Sequence, residues 1–454
     1  MDFDVINPAT EEIVAAVPMA STEEVDAAVE RAKAAFPAWR AVAPGDRARL
    51  LRAFAAQVDD HADELVDLEV TNCGHPLGQA RWEVANLRDT LYYYAAAPER
   101  LTGRQIPVPG GLDVTFHEPL GVVGVIVPWN YPMPIMGWGV APALAAGNTV
   151  IVKPSELTPL TARRVGELAL AAGLPEGVLQ VLPGEGPVAG RRLVNHPDVR
   201  KIVFTGSTRV GREILAASGP RVKRVTLELG GKSANIVFAD ADVERAAAAA
   251  PLAVFENAGQ DCCARSRILV QRPVFDWFME LLEPAVRDVV VGDPRKDDTE
   301  VGPLISAAHR AKVASFVPDD AHVAFRGSAP DGPGFWFAPT VLLAPGDPAR
   351  LPAWTEEVFG PVVVVAPFDD EDEAVRLAND TEYGLSGSIW TRDVGRAVRV
   401  SRAVDSGNLS VNSNSAVRFW TPFGGFKQSG LGRELGPDAL DAFTEVKNVF
   451  IATE

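Results

Sequence analysis

From about residue 120 the chain alternates short apolar runs with helical stretches, and this alternation restricts the fold more than any other feature. Val122–Val127, Thr149–Lys153, Val178–Leu182 and Lys201–Thr205 read as strands, with helices near 159–172, 187–195 and 209–218. Strands separated by helices of this length form βαβ units and hence a parallel sheet. A second series begins after Gly230 with Ala234–Phe238, a helix over 243–257, Arg267–Val270 and a helix over 274–289. It resumes with Val362–Ala366, a helix over 371–379, Ser386–Thr391, a helix over 393–404 and Asn408–Val411. Two α/β domains meeting near Glu228–Lys232 are expected, since 454 residues exceed the usual size of one core.

Before the first series, Ser21-Thr22-Glu23-Glu24 is a capping box, and Val25, Ala28, Val29, Ala32 and Phe36 follow at helical spacing. Residues Gly121 to Val152 carry no charge and are numerous enough to cross a bilayer. Pro128, Pro132, Pro134 and Pro142, with Gly137 and Gly139, would break such a helix repeatedly, so the segment reads as strand, loop, short helix, strand. Leu101–Phe116 has a short β pattern. The last run, Phe443–Ile451, resembles a lone strand with no helix behind it, of the kind that pairs with another subunit.

A net charge of −17 repels phosphate backbones and anionic membranes, so neither nucleic acid nor a membrane is an expected partner. Three cysteines in so long a chain, Cys73, Cys262 and Cys263, and an acidic start at Met1-Asp2-Phe3-Asp4 predict a reducing, cytoplasmic setting.

The chemistry concentrates in a few segments punctuated by Gly or Pro. Phe255-Glu256-Asn257-Ala258-Gly259-Gln260-Asp261-Cys262-Cys263 sets a cysteine just behind a glycine. A thiol at such a turn is available as a nucleophile once a positive field lowers its pKa, whereas Cys73 and Cys263 read as packing residues. The six histidines form no HExxH or matched cluster and no CxxC occurs, so no metal is expected. Phe204-Thr205-Gly206-Ser207-Thr208-Arg209-Val210-Gly211 has the glycine spacing of a P-loop but lacks its Lys-Ser/Thr. What remains is a strand ending in a small polar turn that opens a helix, where backbone N–H groups can face a pyrophosphate. Gly184–Gly190 is one residue too long for the dinucleotide fingerprint and serves equally as a plain turn. Lys153 and Glu156, after another strand, stand at a sheet edge where α/β folds bind ligands.

Seven segments in order resemble the motifs of the NAD(P)-dependent, acid-forming aldehyde dehydrogenase superfamily across nearly the whole chain. They are Pro128-Trp129-Asn130, Lys153-Pro154-Ser155-Glu156, Phe204–Thr208, Glu228-Leu229-Gly230-Gly231-Lys232, Gly259-Gln260-Asp261-Cys262, Glu356–Pro361 and Pro422–Gly430. The resemblance implies two Rossmann-like parallel α/β domains plus a small β oligomerisation element. Residues 1–101 and 121–228 would bind the dinucleotide, 229–437 would be catalytic, and 102–120 with 438–454 would form that element in a homodimer or homotetramer.

It further implies Cys262 as nucleophile, the Asn130 carboxamide and Cys262 N–H as oxyanion donors, and Glu228 as the base that activates water. Lys153 and Glu156 would hold the adenine ribose, Gly206 and Ser207 the pyrophosphate, Trp129 the adjacent loop, and Glu357 with Phe359 the nicotinamide ribose. Glu156 would repel a 2′-phosphate, so NAD is expected in preference to NADP. By the same resemblance Tyr131, Ile135, Trp138, Asp261, Val417 and Phe423 line the aldehyde tunnel, with Trp420 at its mouth. Asp89 is the carboxylate near the Ala85-Asn86 pair. Such walls suit amino, quaternary ammonium, aryl and aliphatic aldehydes alike. Alternatives within reach of the same thiol are a coenzyme A-acylating semialdehyde dehydrogenase, which should lack Glu228, and an NAD-independent thioesterase.

Overall fold

The computed structural model describes residues 2–344, 347–415 and 417–453. Its centre is two parallel sheets, as the alternation predicts. In the first, the parallel strands run in the order Arg224–Glu228, Val199–Thr205, Val122–Ile126, Thr149–Lys153 and Leu179–Val181. Strand order reverses between Val122–Ile126 and Val199–Thr205, which makes a switch point where open α/β sheets bind ligands. Every residue of Val122–Ile126 and Thr149–Lys153 is buried, as expected of strands covered on both faces.

One face of this sheet is covered by the helix Thr22–Arg40, whose start is the predicted capping box. Glu24 N–H donates to Ser21 Oγ (3.3 Å), and Ser21 N–H donates to Glu24 Oε2 (2.8 Å). The other face carries a helical layer, Pro44–Asp60, Ala62–Cys73, Leu77–Ala95 and Pro132–Ala145, which shares one apolar core with the sheet. The charge-free segment forms a strand, a loop, a buried helix of 14 residues and a strand. Among the described residues no helix is long and apolar enough to cross a membrane.

The second sheet runs Val323–Arg326, Thr340–Leu343, Val362–Phe368, Arg267–Gln271, Ala234–Val237, Ser386–Trp390 and Asn408–Val411, all parallel except the first pair. Its core is separate from that of the first sheet. The two units are stitched where Gly430–Leu431 adds an antiparallel edge to Arg224–Glu228.

The expected lone strand needs no other subunit for its pairing. Thr444–Ala452 pairs antiparallel along its whole length with Gly111–Pro119, and Gln105–Ile106 flanks that strand on the other side. The family resemblance puts 102–120 and 438–454 in one β element; local periodicity could not, because more than 300 residues lie between the two strands. The outer edge of Thr444–Ala452 stays open in the three-stranded sheet.

Candidate active site

The loop that bears Cys262 is built against backbone preference. Asn257 and Ala258 each have φ 53° and Gly259 has φ 70°, three consecutive residues in the left-handed region. For the two non-glycine residues this conformation is costly and must be held by surroundings. Asn257 Nδ2 donates to Asn130 O (2.8 Å), Gln260 Nε2 to Asn257 O (3.0 Å), and Ile305 N–H to Gln260 Oε1 (2.9 Å). A Cβ at Gly259 would collide with the Gly360 carbonyl oxygen, so only glycine fits there. Asn130 Nδ2 in turn donates to Gln260 O (3.0 Å), which ties the Trp129-Asn130 loop to the cysteine loop.

Cys262 and Glu228 open onto one cavity of about 360 Å³. Glu228 is the last residue of its strand, is buried, and neither carboxylate oxygen has a partner in the structure. Burial raises its pKa well above the ordinary carboxylate range, helped by Glu434 and opposed by Arg433. The backbone after it packs directly against Cys262, since a Cβ at Gly231 would collide with the Cys262 carbonyl oxygen. The Cys262 thiol is pushed well up, first by the adjacent Cys263 thiol and then by burial. A cation beside such a thiol would favour its thiolate form.

Tyr131, Ile135, Trp138, Asp261, Val417 and Phe423 all line this cavity. Asn130 is buried and is not one of the lining residues; its amide donates to Gln260 O and its carbonyl accepts from Asn257, which ties it to the loop that bears Cys262. Trp420 is half exposed and outside the lining. Asp89 also lies outside it, ion-paired at 2.8 Å with Arg88, while Asn86 Oδ1 accepts from Trp138 Nε1 (3.0 Å). The wall also contains Trp82, Leu252, Glu256, Arg265 and Asn414, which motif reading missed. Leu252 and Glu256 were legible only as one face at the end of the predicted 243–257 helix. A further buried group, Glu69, Cys73 and His75 with Glu83, lies beyond Tyr131. His75 Nδ1 is 2.5 Å from Glu83 Oε1, and the His75 and Tyr131 rings are 5.9 Å apart.

The remaining predicted residues form a strip along the first sheet's carboxyl edge and the facing loop. Lys153 Nζ donates to Pro154 O (2.5 Å) and Gly184 O (2.9 Å) and lies 3.7 Å from Glu156. Gly206 and Ser207 open the helix Thr208–Ser218, with Ser207 Oγ accepting from Val210 N–H. Across from them Glu357 Oε1 accepts from Gly231 N–H (2.8 Å), and Trp129 packs edge-on against Phe359 at 5.3 Å. A helix N-terminus, a lysine–glutamate pair and a third carboxylate with aromatic cover suit the phosphate and sugar groups of a dinucleotide. The unpartnered, buried Thr205 Oγ1 is a further polar atom beside them.

A switch point, a thiol on a strained loop and a buried carboxylate around one cavity, set between two parallel sheets, are the features of an α/β enzyme. Within that class the chain belongs to the Aldehyde dehydrogenase family, whose model matches residues 1–449. It is 41% identical over 454 residues to an aldehyde dehydrogenase of Emericella nidulans, covering 98% of this chain and 91% of that protein. It is likewise 41% identical over 461 residues to the peroxisomal aminoaldehyde dehydrogenase 2 of Pisum sativum, with the same coverages. The fold matches an NAD+ complex of aldehyde dehydrogenase from Bacillus cereus with TM-score 0.97 and 38% identity, over 100% of this chain and 94% of that one.

Proposed function

We propose that this protein oxidises an aldehyde to its carboxylic acid, with NAD as oxidant, through a thioester on Cys262. The observation that carries the reading is the shared cavity of Cys262 and Glu228, one a thiol on a strained loop, the other a buried carboxylate with both oxygens unpartnered.

Cys262 Sγ adds to the carbonyl carbon, and the oxygen that becomes negative is met by the Asn130 carboxamide and the Cys262 N–H. A donor of that kind is worth roughly 10²- to 10³-fold in rate. NAD, when bound, would supply the acceptor for the hydride that leaves the thiohemiacetal carbon as it becomes the thioester, and a cationic ring that favours the thiolate. Lys153, Glu156, Gly206, Ser207, Trp129, Glu357 and Phe359 hold it, and the Glu156 carboxylate disfavours the extra phosphate of NADP. Glu228 then takes a proton from water as that water attacks the thioester carbon. The C–S bond breaks, and the acid leaves with Cys262 restored. A coenzyme A-acylating enzyme would have no use for a carboxylate in this position, which favours water as acceptor.

Division into a dinucleotide-binding unit (1–101 and 121–228), a catalytic unit (229–437) and an assembly element (102–120 and 438–454) accords with this reading. The open edge of Thr444–Ala452 supports a homodimer or homotetramer, and three unpaired cysteines support a cytoplasmic setting.

Replacing Glu228 with Gln tests the scheme. A rapid burst of one NADH per site is expected with aldehyde, followed by steady turnover lowered roughly 10²- to 10⁴-fold. Steady turnover at the unmodified enzyme's rate would remove Glu228 from the role of base.

A further inference from the structure

The cavity in front of Cys262 carries more negative charge than oxidation of a carbonyl requires. Besides Glu228, two further carboxylates line it, Asp261 and Glu256, against one cation, Arg265. Arg265 is occupied by the scaffold. Its Nε donates to Ser388 Oγ (3.1 Å), its Nη1 to Cys263 O (2.5 Å) and its Nη2 to Asn414 O (3.1 Å). Asp261 is engaged as well, with its Oδ1 accepting from Cys263 N–H (2.9 Å).

Glu256 differs from both. Among the described residues its carboxylate has neither a hydrogen-bond donor nor an ion-pair partner. It is exposed at the cavity rim, where partial desolvation and then Asp261 push its pKa up to about 7, with no cation opposing. It follows the helix Val243–Phe255 one turn after Leu252, so the two side chains share a face. Leu252 and Trp82 are each 44% exposed and mark the outer end of the cavity, whereas buried Glu228 lies at the inner end. Near the outer end the Trp82 and Tyr131 rings stand edge to face, 6.0 Å apart. An unpaired carboxylate beside aromatic walls attracts a cation by charge and by the ring quadrupole together.

We propose that Glu256 is a specificity-determining residue that selects aldehydes bearing an ammonium group at the end remote from the carbonyl. The inference rests on the dehydrogenase reading above. The ammonium group takes no part in the chemistry; it sits against Glu256 while the carbonyl reaches Cys262. Neutral aliphatic aldehydes fit the same walls without that contact, and anionic aldehydes meet uncompensated negative charge.

The test compares kcat/KM with NAD at about pH 8, where Glu256 is ionised and primary amines are protonated. The substrates are 3-aminopropanal, its uncharged isostere butanal, and 4-oxobutanoate. 3-Aminopropanal is expected to exceed butanal by about tenfold or more, chiefly through KM, as one charge-assisted contact implies. Glu256→Gln should reduce that ratio about tenfold, and Glu256→Asp should keep part of it. Equal use of the two isosteres, a ratio that survives Glu256→Gln, or a preference for 4-oxobutanoate would overturn the assignment. Should the variant not fold, the unmodified enzyme's ratio and its decline with added salt decide the matter. Absence of NADH with all three aldehydes would instead sink the dehydrogenase reading itself, and this proposal with it.

Discussion

The two parallel sheets approach the reaction site from opposite ends. The first presents the carboxyl ends of its strands: Ile126 leads into Trp129-Asn130, and Lys153, Thr205 and Glu228 are themselves final strand residues. The second presents the loops before its strands: Gly231-Lys232 before Ala234, Cys262 and Arg265 before Arg267, and Glu357 and Phe359 before Val362. A strand end inherits its direction from the ladder, so Glu228 and Lys153 need little besides burial to be placed. A loop ahead of a strand has no such guide. The second sheet therefore spends buried cations and strained backbone on it. Arg267 donates to the carbonyls of Lys232, Leu377 and Ala378, and Arg265 clamps Cys263 and Asn414. Phe359, at φ 59°, repeats the left-handed backbone of Asn257 and Ala258. Position on the first side is a consequence of sheet geometry, and on the second a consequence of polar scaffolding.

That contrast can be broken most severely at the nucleophile. Cys262→Ala is expected to lower NADH formation on the order of 10⁴-fold or more, while Cys263→Ala retains activity. If Cys263→Ala were the silent variant instead, the loop would be aiming the neighbouring thiol.

The next largest effect concerns scaffolding. Gly259→Ala adds strain of roughly 1–3 kcal/mol and drives a methyl into the Gly360 carbonyl, which is backbone and cannot swing away. Gly206→Ala on the first sheet meets only the Phe204 ring at 2.6 Å, a side chain able to turn. Thermal unfolding and burst rate should therefore fall further for Gly259→Ala. Equal losses would show that the two sides are equally constrained.

The smallest expected effect separates the half-reactions by pH. Glu228 accepts a proton only when ionised, and its pKa lies well above the ordinary carboxylate range because of burial and then Glu434. Below that raised value it is protonated and idle. Thioester hydrolysis should thus climb with pH, by at most about tenfold per unit, and flatten above it. Glu434, itself pushed up to about 8, extends the same trend. Stopped-flow traces in which the hydrolytic phase of the unmodified enzyme is flat with pH would contradict this, and Glu228→Gln should abolish the slope.

Much of this was legible beforehand, and unevenly so. The strand Thr149–Lys153 and the helix Glu371–Asn379 fall where apolar periodicity puts them, because their burial patterns are local. The capping box at Ser21 needs only four consecutive residues. Six tunnel residues named from the family resemblance line one cavity, whereas Asp89, chosen as a nearby carboxylate, turns to Arg88. Glu256 escaped notice because nothing in its immediate neighbours distinguishes a cavity-facing carboxylate from a solvated one. The terminal strand was associated with 102–120 only through the family resemblance, because pairing across 300 residues leaves no local pattern.

In the sequence alone, the order of apolar and polar residues determined two parallel sheets, and the specific motifs marked the segments that bear a thiol, a carboxylate and a carboxamide and carried the family resemblance. Only the tertiary structure decided that Cys262 and Glu228 share one cavity, that Thr444–Ala452 registers residue by residue on Gly111–Pro119, and that Glu256 joins the cavity lining without a partner. The physical reason is range. Secondary structure and capping follow from contacts within a few residues, whereas a pKa, a cavity wall and an unpaired charge are set by whatever distant parts of the chain packing brings alongside.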